Sequence, residues 1–265
     1  MRGMDASPVK WLLLTALVVI ALYVVMCCVL YVFQNRLLYF PTPAADPQGA
    51  NAVLIHSGEI TLKLWQLHGD RPDALLYFGG NAEDVAAKIP EFAAAFPDWA
   101  VYLVHYRGYG GTAGTPSERL LVADAQAIYD EIKTRHAQVA VMGRSLGSGV
   151  ATAVAATRPV QKLILVTPYD SIANVAADHY GWAPVRWLIR DSYDSVGRMK
   201  DVRAQVLVLI AARDDVVRRP RSESLAAAIP AASRHVKVFT QASHGDINLQ
   251  PCYRQTIREF LTATE

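Results

Sequence analysis

The chain has 265 residues, with 26 Lys and Arg against 24 Asp and Glu, a net charge of +2. That length suits one large domain or one domain with an appendage, and so even a charge balance lacks the basic footprint of a nucleic-acid binder. An apolar content of 52% excludes disorder, three cysteines cannot build a disulfide framework, and no CxxC, HExxH or GxxxxGK(S/T) motif points to zinc or a P-loop.

Residues 1–10 form a short N-terminal segment. Trp11–Phe33 then runs for 23 residues without a charge. As a helix it is about 34 Å long, enough for a hydrocarbon core of roughly 30 Å. A cleaved signal peptide has a shorter apolar region followed by a small-x-small site; Thr42-Pro43-Ala44 fits that poorly and lies nine residues past the run. The segment therefore reads as a retained single-pass membrane helix. Arg2 and Lys10 flank it on one side; Arg36 on the other is followed by no cation until Lys63. The positive-inside rule then puts the N-terminus in the cytoplasm and the main domain outside it, periplasmic if the source is bacterial. Trp11, Tyr31, Phe33 and Tyr39 stand where interfacial aromatic belts form. Residues 34–52 read as a linker stiffened by Pro41, Pro43 and Pro47.

Residues 53–265 read as the main domain. Ile60–Leu67 is expected as an antiparallel edge strand. Ala74–Phe78, Ala100–His105, Val139–Gly143, Lys162–Val166, Gln205–Ala211 and His235–Phe239 are short apolar runs typical of strands buried on both faces. Helical spacing fills Asp84–Phe96, Pro116–Arg135, Gly147–Thr157, Ser222–Ile229 and about Pro251–Ala263. Such alternation predicts an α/β fold with a mostly parallel central sheet flanked by helices. Thr115, Pro116 and Glu118 read as N-cap, first helical residue and capping-box partner. Residues 169–200, with His179, Tyr180, Trp182, Trp187 and Tyr193, fit no sheet pattern. They read as a small helical cap insertion in which core packing is the expected role of Trp182 and Trp187.

Gly143-Arg144-Ser145-Leu146-Gly147 is a GxSxG between an apolar strand and a small-residue helix. That context is the nucleophile elbow, a sharp turn that lifts a serine hydroxyl above the sheet. A serine needs a base, and in this topology the order is serine, acid, histidine. Asp214 and Asp215 follow the Gln205–Ala211 strand; His244 follows the last strand. The other histidines, at 56, 68, 105, 136, 179 and 235, lie elsewhere and read as packing or surface residues. An oxyanion hole would draw on the backbone N–H of Leu146 and on the loop Gly79-Gly80-Asn81-Ala82, with the Asn81 N–H preferred.

These motifs resemble the α/β-hydrolase superfamily, and within it the branch of membrane-anchored alpha/beta-hydrolase domain-containing proteins that includes lysophospholipases and protein depalmitoylases. The resemblance runs from Phe33-Gln34-Asn35-Arg36-Leu37-Leu38-Tyr39-Phe40-Pro41 through Phe78–Ala82, Tyr106–Gly110, Gly114–Glu118 and the GxSxG, to Arg213–Val217 and Ser243–Asp246. It implies Ser145 as nucleophile, His244 as base, Asp214 rather than Asp215 as acid, and Asn81 and Leu146 as oxyanion donors. It departs from the family where many members have His in place of Gly79, and Pro in place of Gln205 and Arg218.

The reading that results is a membrane-anchored serine hydrolase without cofactor or metal. It would cleave a carboxylic ester or thioester, small or lipid, through an acyl-enzyme, and would not bind nucleic acid. The alternatives are a peptidase of the same fold, a non-catalytic tethered scaffold, and a dinucleotide enzyme suggested by the GxGxxA of residues 108–113.

Overall fold

The computed structural model describes residues 8–263. Pro8–Leu38 is one helix, α1, of 31 residues, none of them buried. It outruns the uncharged segment because Gln34–Leu38 continue the helical hydrogen bonding, as far as Tyr39 N donating to Asn35 O at 2.9 Å. By length and composition α1 is a candidate membrane span.

Eight strands form one sheet in the order β1-β2-β4-β3-β5-β6-β7-β8. They are β1 (Asn51–Ser57), β2 (Ile60–Leu67), β3 (Asp73–Phe78), β4 (Ala100–Val104), β5 (Gln138–Arg144), β6 (Lys162–Val166), β7 (Gln205–Ala211) and β8 (Arg234–Phe239). The β1/β2 and β2/β4 pairs are antiparallel and every later pair is parallel. Both faces of the central strands are buried, which is why β4 and β6 read as unbroken apolar runs. The outermost position belongs to β1, so β2 is antiparallel but lies one strand in from the edge. Asn51, His56 and Ser57 dilute the apolar pattern that would mark β1 in the sequence.

The helices α2 (Ile89–Ala95), α3 (Glu118–Lys133), α4 (Leu146–Thr157), α5 (Ile172–His179), α6 (Val185–Leu188), α7 (Ser195–Met199), α8 (Arg219–Ala227) and α9 (Tyr253–Thr262) complete the chain. Two cores result. On one face α3, α4 and α8 supply Ile128, Val150 and Leu225 to the packing against the sheet. On the other, α2 and α9 supply Phe92 and Ile257.

Three local expectations change. Helix α3 starts at Glu118 with Ser117 as N-cap, its Oγ accepting from Leu120 N at 3.4 Å, rather than with Thr115. The Glu118 carboxylate is drawn off by Arg198 (2.5 Å) and the Tyr193 amide (2.8 Å), so no capping box closes. Tyr39 is core rather than belt, 3% exposed, its hydroxyl donating to Asp191 at 2.8 Å. The 169–200 segment does carry three short helices, α5 to α7, but Trp182 and Trp187 point outward, 49% and 91% exposed.

Candidate active site

The site lies where the parallel strands end. Strand β5 stops at Arg144 and α4 begins at Leu146, leaving Ser145 alone in the turn. Its φ of 50° and ψ of −118° occupy a region L-residues rarely adopt, which stores strain of about 1–3 kcal/mol. Strand and helix can pass this closely only without side chains. A Cβ on Gly143 would stand 2.2 Å from the Gly147 carbonyl oxygen, and one on Gly147 would stand 2.1 Å from that of Phe78. The backbone is held by Ser145 N donating to Val166 O on β6 at 2.9 Å.

The expected partners converge on this serine. His244, in the turn after β8, has Nε2 3.0 Å from Ser145 Oγ. Its Nδ1 is 2.7 Å from Asp214 Oδ2. Asp214 follows β7, and its other oxygen accepts from the amides of Val216 (3.0 Å) and Val217 (2.7 Å), which fixes the carboxylate's orientation. Asp215, its neighbour, is exposed. Ser145, His244 and Asp214 thus form one chain of hydrogen bonds across residues 99 and 30 positions apart in sequence.

The loop after β3 lies beside the serine: a Cβ on Gly80 would be 3.6 Å from Ser145 Cβ. Within this loop the amides of Gly80, Ala82 and Glu83 are committed, to Glu83 Oε2, Asn81 Oδ1 and Gly80 O. The Asn81 amide has no acceptor among the described residues. The Asn81 side chain does something the sequence did not suggest. Its Oδ1 accepts from Phe40 N (3.0 Å) and Tyr109 OH (2.9 Å), and its Nδ2 donates to Leu38 O (2.6 Å). That pins the end of α1 to the loop. Leu146 opens α4, so its N–H is one of the helix-start donors without an intrahelical acceptor.

Sequence reasoning missed Arg144 and Glu83. They pair at 2.8 Å with side chains 15% and 6% exposed. Arg144 Nη2 also donates to the His244 carbonyl at 2.8 Å. Glu83 accepts from Gly80 N at 2.9 Å and from Tyr77 OH at 2.6 Å. Burial alone would push the Glu83 carboxyl upward, but the Arg144 charge and these donors hold it below its ordinary range. The pair therefore ties the β3 loop, the elbow and the histidine turn together. Arg144 fills one of the two unspecified positions of the GxSxG, so nothing in the motif singles it out.

His105 is buried beside Trp65, and burial with the Lys63 charge pushes its pKa down to about 4. The His136 ring bonds Tyr102 and the Arg71 carbonyl. Both are packing residues, as expected. The GxGxxA of residues 108–113 forms a turn closed by Gly108 N to Thr112 O, and the next helix starts only at Glu118. A dinucleotide loop needs a helix N-terminus directly behind it, so that reading falls.

A family model described as "Serine aminopeptidase, S33" matches residues 80–192. The uncharacterized protein Rv2307c of Mycobacterium tuberculosis is 37% identical over 249 residues, covering 87% of this chain and 88% of that one. Lysophosphatidylserine lipase ABHD12 of Macaca fascicularis is 33% identical over 224 residues, covering 72% of this chain and 56% of its own length. In fold, the esterase Pf2001 of Pyrococcus furiosus superposes with a TM-score of 0.71 at 14% identity, covering 84% of this chain and 98% of that one. With its eight-stranded sheet and serine elbow, this chain belongs to the α/β-hydrolase superfamily, in the alpha/beta-hydrolase domain-containing branch.

Proposed function

We propose that the protein is a membrane-anchored serine hydrolase that cleaves a carboxylic ester or thioester through an acyl-enzyme. The observation that carries this reading is the Ser145–His244–Asp214 hydrogen-bond chain on a strained elbow. In the first half-reaction His244 Nε2 takes the Ser145 proton as Oγ attacks the acyl carbon. The same proton passes to the leaving oxygen or sulfur as that bond breaks. Water then repeats the sequence on the acyl-enzyme and releases the acid. Asp214 keeps the Nδ1 proton in place and stabilises the imidazolium. The amides of Leu146 and Asn81 receive the charge that develops on the carbonyl oxygen. No step calls on a metal or cofactor.

Helix α1 supports placing this chemistry at a bilayer, and residues 39–50 leave the domain little freedom to depart from it. The cation bias of the flanks favours a cytoplasmic N-terminus with the domain on the other side. A lipid or acyl substrate fits that position. The aminopeptidase description of the family model favours a second reading, a peptidase of the same fold.

Labelling by a fluorophosphonate probe in detergent, on the wild type and on Ser145→Ala, is the primary test. Labelling of the wild type alone is expected, and a folded wild type that stays unlabelled would sink the proposal. Turnover of p-nitrophenyl esters and acyl thioesters, set against aminoacyl amides, then separates the ester and peptidase readings.

A further inference from the structure

The cap segment from Tyr180 to Arg190 lies along α1. Gln34 on α1 grips it twice, donating to Leu188 O at 3.2 Å and accepting from Arg190 N at 2.7 Å. Eleven residues nearer the N-terminus, Tyr23 OH donates to Trp182 O at 3.2 Å. Between these points Pro184 and Leu188 border an apolar cleft with Val24, Cys27 and Tyr31.

The length of α1 decides where this segment sits. Lys10 marks the earliest point at which hydrocarbon can begin. From Trp11 to Tyr23 the helix rises about 20 Å, against a hydrocarbon core of roughly 30 Å. Any bilayer that α1 crosses therefore extends about 10 Å beyond Tyr23, on the side of the cap, and helix tilt only increases the overlap. Trp182, held at the level of Tyr23, falls within it.

We infer that the cap tip, residues 180–190, is a membrane-inserted element whose partner is the acyl-chain region of the leaflet facing the domain. The inference rests on the membrane-anchor part of the proposed function. Two further observations fit a low-dielectric setting. Among the amides of residues 180–190, those of Tyr180, Ala183, Val185, Trp187, Leu188, Ile189 and Arg190 have acceptors inside the protein, as hydrocarbon requires, and those of Gly181, Trp182 and Arg186 have none among the described residues. The outward side chains are Trp187 (91% exposed), Trp182 (49%) and Tyr180 (38%), amphipathic aromatics suited to the headgroup boundary. Arg190, stacked on the Tyr31 ring at 5.2 Å, stands nearer the Gln34 level where lipid phosphates lie. The depth of about 10 Å is that of an interfacial element and not of a second span.

One consequence concerns the substrate. An apolar cavity lined by Leu30, Leu37, Ile172, Ala176, Tyr180 and Leu188 lies between α1 and the cap. With the tip inserted, this cavity lies at the boundary between the acyl chains and the headgroups.

The test is tryptophan quenching of the full chain in phosphatidylcholine vesicles whose lipids are brominated midway along the acyl chains. Trp187→Phe and Trp11→Phe variants isolate each emission by difference; both side chains are exposed, so folding is preserved. Trp187 is expected to lose about half its emission or more to the brominated lipid and to resist aqueous acrylamide. Acrylamide quenching of Trp187 without lipid quenching, while Trp11 responds to the lipid, would overturn the inference and leave the anchor standing. Lipid quenching of neither tryptophan would overturn both.

Discussion

The elbow at Ser145 and the cap at 169–200 leave the same end of the sheet and are held by opposite means. The elbow is fixed by backbone against backbone, at separations that admit no Cβ on Gly143 or Gly147. The cap is fixed by side chains from distant parts of the chain. Arg221 joins Asp170 and Asp178, Glu118 takes Arg198, Tyr39 reaches Asp191, and Gln34 clamps Leu188 and Arg190. Steric fixing gives one geometry to within a fraction of an ångström, which acyl transfer requires. Polar fixing over long loops makes the cap's position depend on those partners. The difference separates a part that must be rigid from a part that meets a variable environment.

The largest expected effect lies within the rigid part. Asp214→Asn should lower kcat by about 10⁴-fold, because the histidine tautomer is lost. Asp215→Asn, on an exposed neighbour, should leave kcat within about twofold. Steady-state turnover of a p-nitrophenyl ester by both variants checks this, and equal losses would remove Asp214 from its assigned role.

Arg144→Met comes next. It strands the buried Glu83 carboxylate and should cost about 3–5 kcal/mol in denaturant unfolding. The Glu83→Gln change added to it should recover most of that loss, since no charge is then left unpaired. A double variant no better than the single one would show that the arginine acts by packing alone.

Gly147→Ala tests the steric contrast directly. Its Cβ would meet the Phe78 carbonyl oxygen at 2.1 Å, and a loss of about 3 kcal/mol is expected. Gly181→Ala in the cap would meet only the Ala177 carbonyl oxygen at 3.3 Å and should cost about 0.5 kcal/mol. Thermal unfolding of the two variants side by side would break the comparison if the costs were alike.

The smallest effect is a pH dependence. His105 has its pKa lowered to about 4 by burial and the Lys63 charge, against 6.5 in the unfolded chain. Below pH 6.5 the unfolded state takes up a proton that the folded state refuses, so stability falls as pH falls, down to about pH 4. From pH 6.5 to pH 5 the loss should be about 1.6 kcal/mol. His105→Gln should flatten that part of the stability profile, and an unchanged slope would place the titration elsewhere.

Legibility followed the same division. The parallel strands were visible because both their faces are buried, which leaves apolar runs of five to seven residues. The Ser145, Asp214 and His244 positions were visible because each follows a strand in a fixed order. Strand β1 was not, since polar residues at both ends, Asn51 and His56-Ser57, leave only a short apolar run at the sheet's outer position. The cap of α3 was misplaced at Thr115 because Glu118 had a better partner in Arg198, 80 residues away. Trp182 and Trp187 read as core in the sequence because aromatic composition carries no direction; in the fold both turn outward.

By itself the sequence determined the α/β class, the long apolar segment near the N-terminus and the order of the candidate catalytic groups. Each of these is written in local periodicity or in a short motif. Only the tertiary structure decided how closely Ser145 and Asp214 approach His244, that Arg144 and Glu83 bridge three loops, and that Asn81 clamps the end of α1. The contacts between these loops join residues 30 to 100 positions apart. They depend on how loops emerge from neighbouring strands, which pairwise spacing along the chain does not encode.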